Sequence, residues 1–143
     1  MKKFSVILAL LFSIANGGVF TDKLSECLIK KSKPEEIKLL KRWIFFAYAQ
    51  DSDLKKYVSI SSKDEDEVNK EMGEYVTTLL SDRCSKELKD AIKYEGPQAI
   101  ANAFGKLGEI AGMYILESKE TKEFLGKFAN HIDATKLLPL LQK

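Results

Sequence analysis

The chain of 143 residues carries 23 lysines and arginines against 21 aspartates and glutamates, and 45% of its residues are hydrophobic. This length and composition predict one globular domain with a core of its own. Lys2 and Lys3 are the only charged residues among the first 17, so 21 charges of each sign remain beyond them. Such a balance argues against a nucleic-acid-binding protein, which needs an excess of positive charge.

The first 17 residues have the layout of an export signal. Lys2 and Lys3 precede an apolar run over residues 4–14, and small residues follow it. This spacing predicts cleavage after Ala15 or Gly17. A membrane anchor is the alternative, but about a dozen apolar residues are too few to span a bilayer. We therefore expect an exported protein, in the bacterial periplasm, with no transmembrane segment in the mature chain.

Cys27 and Cys84 are the only two cysteines of the chain. An even number of cysteines in an exported protein predicts a disulfide, here between these two residues. In the chain-entropy model, closing a loop of about 58 residues stabilises the fold by about 4 kcal/mol. Two free thiols or a metal pair are the alternatives. A metal site is disfavoured because His131, the only histidine, is distant in sequence.

Helix signals recur along the rest of the chain, with almost no strand pattern between them. Two segments, 32–35 and 62–65, have the pattern of a capping box, which marks the start of a helix. Gly96 and Pro139 are expected to end helices. The pattern predicts an all-α fold for residues 18–143, as a single-domain bundle of six or seven helices with short connections.

The stretch Leu39–Ala49 has a wide apolar face for a helix. Its apolar side chains cover about 200° of the helical wheel, whereas a surface helix needs a stripe of only about 100°. We therefore expect it to be the buried central helix of the bundle, with Trp43 deeply buried and its indole N–H bonded to a backbone carbonyl. The predicted core residues are Leu40, Trp43, Ile44, Phe46, Ala47, Phe104 and Leu107.

A seam of small residues runs along the helix predicted from Pro97 to about Glu117. Its members, which fall within about 60° of one another on the helical wheel, are Ala101, Gly105, Gly108 and Gly112. Three glycines inside a helix cost about 3 kcal/mol relative to alanine, so the seam should have a compensating role. One explanation is a neighbouring helix packed at short distance. The other is a groove for a partner protein or an apolar ligand.

A second candidate surface is a basic and aromatic patch on the predicted central helix. Phe45 lies apart from the apolar arc, among Lys38, Lys41 and Arg42. This patch could dock an anionic partner. Alternatively, another part of the chain covers Phe45 and the basic side chains are only solvated, as expected if the central helix is covered on several sides.

Sequence motifs of catalysis are absent. The chain has no His-Glu-x-x-His, no Gly-x-Ser-x-Gly and no glycine-rich phosphate loop. The acidic run 64–67 lacks the spacing of a calcium-binding loop and is better explained by a helix N-terminus, where acidic residues are favourable. We therefore expect no enzyme activity, no cofactor and no metal.

Two segments of the chain are similar to segments of known proteins. They are Arg42-Trp43-Ile44-Phe45, which lies between Cys27 and Cys84, and Phe-Gly-Lys-Leu-Gly at 104–108. In these features the chain resembles a family of small exported bacterial helical proteins. The resemblance covers most of the mature chain and implies an all-helical fold and export, but no particular chemistry.

These features lead to an expected function. We expect a non-catalytic protein that binds another protein, of an inhibitor or immunity type, as a monomer or homodimer. Its partner would be a secreted or envelope protein. The alternative is a structural or chaperone-like envelope protein, or a carrier of an apolar ligand.

Overall fold

The computed structural model describes residues 17–142, and within them it contains helices and no strand. This confirms the predicted all-α class. The export signal predicted for residues 1–17 lies outside the described residues except for Gly17. The helices are α1 (Val19–Lys31), α2 (Pro34–Tyr48), α3 (Ser62–Thr78), α4 (Ser85–Glu95), α5 (Gln98–Glu117), α6 (Lys119–Ala129) and α7 (Ala134–Leu141), with a 3₁₀ turn at Lys55–Tyr57 and a π-helical turn at Leu79–Arg83.

The helix ends follow local chemistry, with small shifts from the predicted positions. Helix α3 is capped by Ser61, one residue before the predicted box, and the Ser61 hydroxyl oxygen accepts a bond from the Asp64 N–H at 3.1 Å. Helix α4 ends because Gly96 adopts a φ of +84°, which favours glycine. Pro139, predicted to end the last helix, instead lies inside α7. Proline has no backbone N–H, so α7 lacks one backbone hydrogen bond at this position.

The chain divides into two compact units, Met1–Gly112 and Met113–Lys143, where the sequence predicts one domain. The buried side chains explain the position of this boundary. The hydrophobic core extends along the chain from Leu24 to Ala111, and no residue between Met113 and Gln142 is buried. Below, the first unit is called the helical core unit, and residues 113–142 are called the C-terminal arm.

Two pairs of helices, α1 with α4 and α2 with α3, build most of the helical core unit. Helix α5 completes it by contributing one face of small and large apolar side chains, namely Ala99, Ala103, Phe104, Leu107 and Ala111. From α1, Leu24 and Leu28 are fully buried in the same cluster.

The most buried helices are therefore α1 and α5, and the expectation that α2 is a fully buried central helix is not met. On α2 only Leu40 is buried. Trp43 and Ile44 are partly buried and pack against the core, while Phe46 and Ala47 are half-buried. The wide apolar arc of α2 thus faces the core on one edge only. The predicted core residues of α5, Phe104 and Leu107, are both buried.

Trp43 also differs from the expectation in its hydrogen bond. Its indole N–H donates to the side-chain oxygen of Asn69 on α3, at 2.8 Å, and not to a backbone carbonyl. The side chain is only partly buried, so a polar side chain at the surface can reach the indole. Trp43 therefore links α2 to α3 at the rim of the core.

The predicted disulfide between Cys27 and Cys84 is confirmed, with the two Cα atoms 5.9 Å apart. Cys84 directly follows the π-helical turn, and its N–H donates to the Leu79 carbonyl at 2.9 Å, a bond spanning five residues. This wider turn packs on both α1 and α4. The disulfide thus joins the middle of α1 to the junction of α3 and α4.

Candidate interaction surfaces

Arg83, next to Cys84, braces the junction between α1 and α2. One guanidinium nitrogen donates to the Lys31 carbonyl at 2.9 Å and to Glu36 at 2.7 Å, and the other donates to Glu36 at 2.8 Å. The bond from Arg83 holds the pKa of Glu36 below its usual value of 4.5, against partial burial, which acts in the opposite direction. Cys84 therefore holds α1 through the disulfide, and its neighbour Arg83 holds α2 through the ion pair.

A cleft of about 450 Å³ lies between α2 and α3 in the helical core unit. Two of its carboxylates are paired with arginines, Glu36 with Arg83 and Glu71 with Arg42, the latter at 2.6 Å. Burial raises the pKa of Tyr75, whose hydroxyl also bonds to Ser32. The charged lining does not resemble an apolar ligand site, which is mostly hydrophobic with few polar groups. Its paired side chains are explained as a structural brace.

Most of the candidate basic and aromatic patch on α2 lies at the surface. Phe45 is 51% exposed, so no other part of the described chain covers it. Lys38 and Arg42 are exposed, and Lys41 is half-buried. Arg42 is held by its ion pair with Glu71, which reduces the free positive charge of the patch. The residues are thus brought together on one helix, but the patch is small and partly neutralised.

The small-residue seam lies on α5, on the side away from its core-facing alanines. A Cβ atom built on Gly108 or on Gly112 would have nothing within 4 Å apart from its own helix and chain neighbours. The expected close packing of a helix against these two glycines is therefore wrong. Ala101 is buried and Gly105 is half-buried. The buried side of α5 is its alanine face, and nothing packs on Gly108 or Gly112.

The C-terminal arm carries an unusual density of exposed apolar side chains. Phe124 is 71% exposed, Phe128 is 68% exposed, and Leu140 and Leu141 are more exposed still. Over the whole arm twelve large apolar side chains are exposed: Met113, Tyr114, Ile115, Leu116, Phe124, Leu125, Phe128, Ile132, Leu137, Leu138, Leu140 and Leu141. Apolar surfaces of this extent in a folded protein mark interaction sites.

Local side chains cap the two short helices of the arm. Ser118 caps α6 by accepting a bond from the Thr121 N–H at 3.2 Å, and Asp133 caps α7 by accepting one from the Thr135 N–H at 3.1 Å. The bonds from Thr135 keep the pKa of Asp133 below its usual range. The arm's helices are therefore well defined at their starts, although no residue of the arm is buried.

Charge on the arm is balanced, with four lysines and four carboxylates between residues 113 and 142. Two of these lysines lie near acidic neighbours on the same segment, Lys119 beside Glu123 and Lys136 beside Asp133. A helix that binds an anionic membrane surface has an excess of basic residues on its polar face. The arm lacks that excess, and its dominant property is apolar surface.

Sequence reasoning placed the apolar residues of the arm inside a bundle and so missed this surface. A signal was available at residues 113–116, which are four consecutive apolar residues on a helix. Such a run points in all directions around the helix axis and cannot face a single core. The five residues 137–141, all leucine or proline, form a second run of the same kind.

Two further observations concern what residues 17–142 contain. None of their helices combines the length and the apolar character needed to cross a bilayer. Nor do they bring together three histidine, cysteine, aspartate or glutamate side chains in a group that could hold a metal ion. Comparisons with protein-family models, with curated proteins and with solved structures gave no match.

Proposed function

We propose that this chain is an exported, non-catalytic protein of the bacterial envelope that binds a partner protein through its C-terminal arm. The observation that carries the proposal is the set of twelve exposed apolar side chains in an arm with no buried residue. The resemblance to small exported helical proteins, the signal-like N-terminus and the Cys27–Cys84 disulfide support export, since disulfides persist in oxidising compartments.

The size of the arm supports a role in binding. A segment of about 30 residues is too short to enclose a core without help, because units below about 40 residues usually need disulfides, metals or association. Both cysteines belong to the helical core unit. The arm's apolar side chains are therefore better explained as a contact surface than as the core of a small domain.

The chemistry of the arm indicates the kind of partner. Phe124 and Phe128 are one turn apart on α6 and lie on the same side of it, as anchors do when an amphipathic helix enters a groove. Balanced charge favours a partner whose contact face is apolar and weakly charged, and it disfavours nucleic acid and anionic lipid. We therefore assign to the arm a protein partner with an apolar groove, in keeping with an inhibitor or immunity type of function.

Photo-crosslinking in the native envelope tests this assignment. A photoreactive phenylalanine analogue at Phe128 should give one discrete crosslinked protein. The same analogue at Lys119, on the opposite side of α6, should give little. The proposal also requires that the crosslinked protein, once purified, binds the purified chain. Crosslinks only to lipid, only to a second copy of the chain, or of equal yield at both positions would overturn it.

A matched pair of variants distinguishes the arm from the patch on α2. Phe128→Ser and Phe45→Ser each remove one exposed phenylalanine, and both should leave the unfolding midpoint nearly unchanged. Loss of a central aromatic contact typically weakens binding by 2 kcal/mol or more, about 30-fold. We expect that loss for Phe128→Ser and almost none for Phe45→Ser. The reverse result would place the partner on α2.

A further inference from the structure

The first turn of α1 is capped by a carboxylate from the end of α4. One oxygen of Glu95 accepts bonds from the Gly18 N–H at 3.0 Å, the Thr21 N–H at 3.1 Å and the Thr21 hydroxyl at 2.6 Å. Its other oxygen accepts a bond from the Phe20 N–H at 2.6 Å. Phe20 also stacks on Tyr94, with ring centroids 4.5 Å apart. The end of α4 therefore fixes the position of the Gly18 nitrogen.

Two features distinguish the contact between Gly18 and Glu95. A Cβ atom on Gly18 would lie 2.8 Å from the Glu95 carboxyl carbon, so a larger residue would require the Glu95 side chain to shift. In addition, no lysine or arginine among residues 17–142 forms an ion pair with Glu95. Glu95 is thus a carboxylate surrounded by N–H and O–H donors, with no cationic partner in the described chain.

We propose that the chain is cut after Gly17 and that the new terminal ammonium of Gly18 pairs with Glu95. This inference rests on the export proposed above. In the cut, water adds across the Gly17–Gly18 peptide bond. The Gly17 carbonyl carbon gains the oxygen and leaves as a carboxylate, and the Gly18 nitrogen is released as an amine. A terminal amine has a pKa of about 7.7–8.0, so at neutral pH it takes up a proton and is mostly ammonium.

The structure separates the two cleavage positions that the sequence allows. A cut after Gly17 puts a positive charge on an atom 3.0 Å from a Glu95 oxygen, without loss of the existing hydrogen bond. A cut after Ala15 leaves the Gly18 nitrogen as a neutral amide. The charge is then two residues away, about 7 Å along an extended chain. Only the first cut supplies the cation that Glu95 lacks.

Mass spectrometry of the exported protein tests the position of the cut. The expected mature chain begins at Gly18. A chain that begins at Asn16 would overturn this inference and leave the proposed partner binding untouched. An exported chain that keeps residues 1–17 would overturn both this inference and the proposed export.

A second measurement tests the ion pair itself. A chain that starts at Gly18 is compared with the same chain acetylated at its terminal amine, which keeps one N–H but removes the charge. Exposed ion pairs contribute little to stability, so acetylation should raise the unfolding equilibrium constant only about two- to fivefold. The same acetylation should have almost no effect in Glu95→Gln, and little in a chain that starts at Asn16. An equal effect in all three chains, or none in the first, would overturn the pairing.

Discussion

Arg83 and Glu36 show how a single ion pair can position a helix. The pair is mostly shielded from solvent, since the Arg83 side chain is 20% exposed and the Glu36 side chain 16%. Two hydrogen bonds join the guanidinium group to the carboxylate. Such a pair is more sensitive to the loss of one member than an exposed pair is. Its role in this chain is to hold the start of α2 next to the disulfide.

Glu36→Gln should lower the urea midpoint at pH 7. The pKa of Glu36 is lowered in the folded state. The ionised side chain therefore adds to the free energy of unfolding above the unfolded pKa of 4.5, and this stabilisation is lost as pH falls through the folded pKa. The midpoints of the variant and the parent chain should therefore converge in acid. Glu35→Gln, the exposed neighbour, is the matched control and should change little. A constant difference at all pH values would contradict this account of the pair.

The open glycines of α5 allow a test by simple substitution. Gly108→Ala places a methyl group where nothing lies within 4 Å, in the middle of a helix. The change should raise the free energy of unfolding by about 1 kcal/mol, because alanine is the better helix former. Gly73→Ala on α3 has the same open surroundings and is the control. Destabilisation by Gly108→Ala alone, seen in thermal unfolding, would mean that another element contacts the seam.

The disulfide connects elements that are distant in sequence. Cys27 lies in α1 and Cys84 follows the π-helical turn, 57 positions later in the chain. Helix α1 is further held by Glu95 at its start and by Arg83 at its end. These contacts persist without the bridge, so the main effect of the disulfide is on the unfolded chain.

Reduction, or the double change Cys27→Ser with Cys84→Ser, should lower the free energy of unfolding by about 4 kcal/mol in the chain-entropy model. The helical circular dichroism should remain, since the core contains many apolar side chains besides Cys84. Denaturant titration followed by circular dichroism measures both quantities. Complete loss of helix on reduction would contradict this expectation.

Elements were predictable where local chemistry decides them. Capping residues and the positive φ of Gly96 set helix ends close to their predicted positions. Burial was less predictable, because it depends on which helices meet. Helix α2 has an apolar arc of about 200° on the helical wheel, yet α1 and α5 hold more of the core. Trp43 is accordingly at the rim, and its indole partner, Asn69, could not be identified from local sequence.

The candidate site was even harder to foresee from the sequence. The arrangement of Phe124 and Phe128 on α6 predicts an amphipathic helix, but an amphipathic helix can cover a core or bind a partner with the same pattern. Which of these two roles the helix has depends on where the core ends along the chain, and the last residue of the buried cluster is Ala111. The cysteine pairing, in contrast, had only one possible partner for each residue and was predictable.

Taken as a whole, the described chain keeps its buried residues apart from most of its exposed apolar surface. All residues of the hydrophobic cluster, both cysteines and the Arg83 brace lie within the helical core unit. The arm contributes exposed apolar side chains and none that is buried. We therefore expect the helical core unit to keep its fold without the arm.

The most direct test is equilibrium unfolding of an oxidised chain that ends at Gly112, compared with an otherwise identical chain that ends at Lys143. Because no buried residue is removed, the free energy of unfolding should stay within about 0.5 kcal/mol of the full chain, as it does for changes of exposed residues. A lowered midpoint or a loss of cooperativity would show that the arm is part of the core, and it would contradict its assignment as a binding surface.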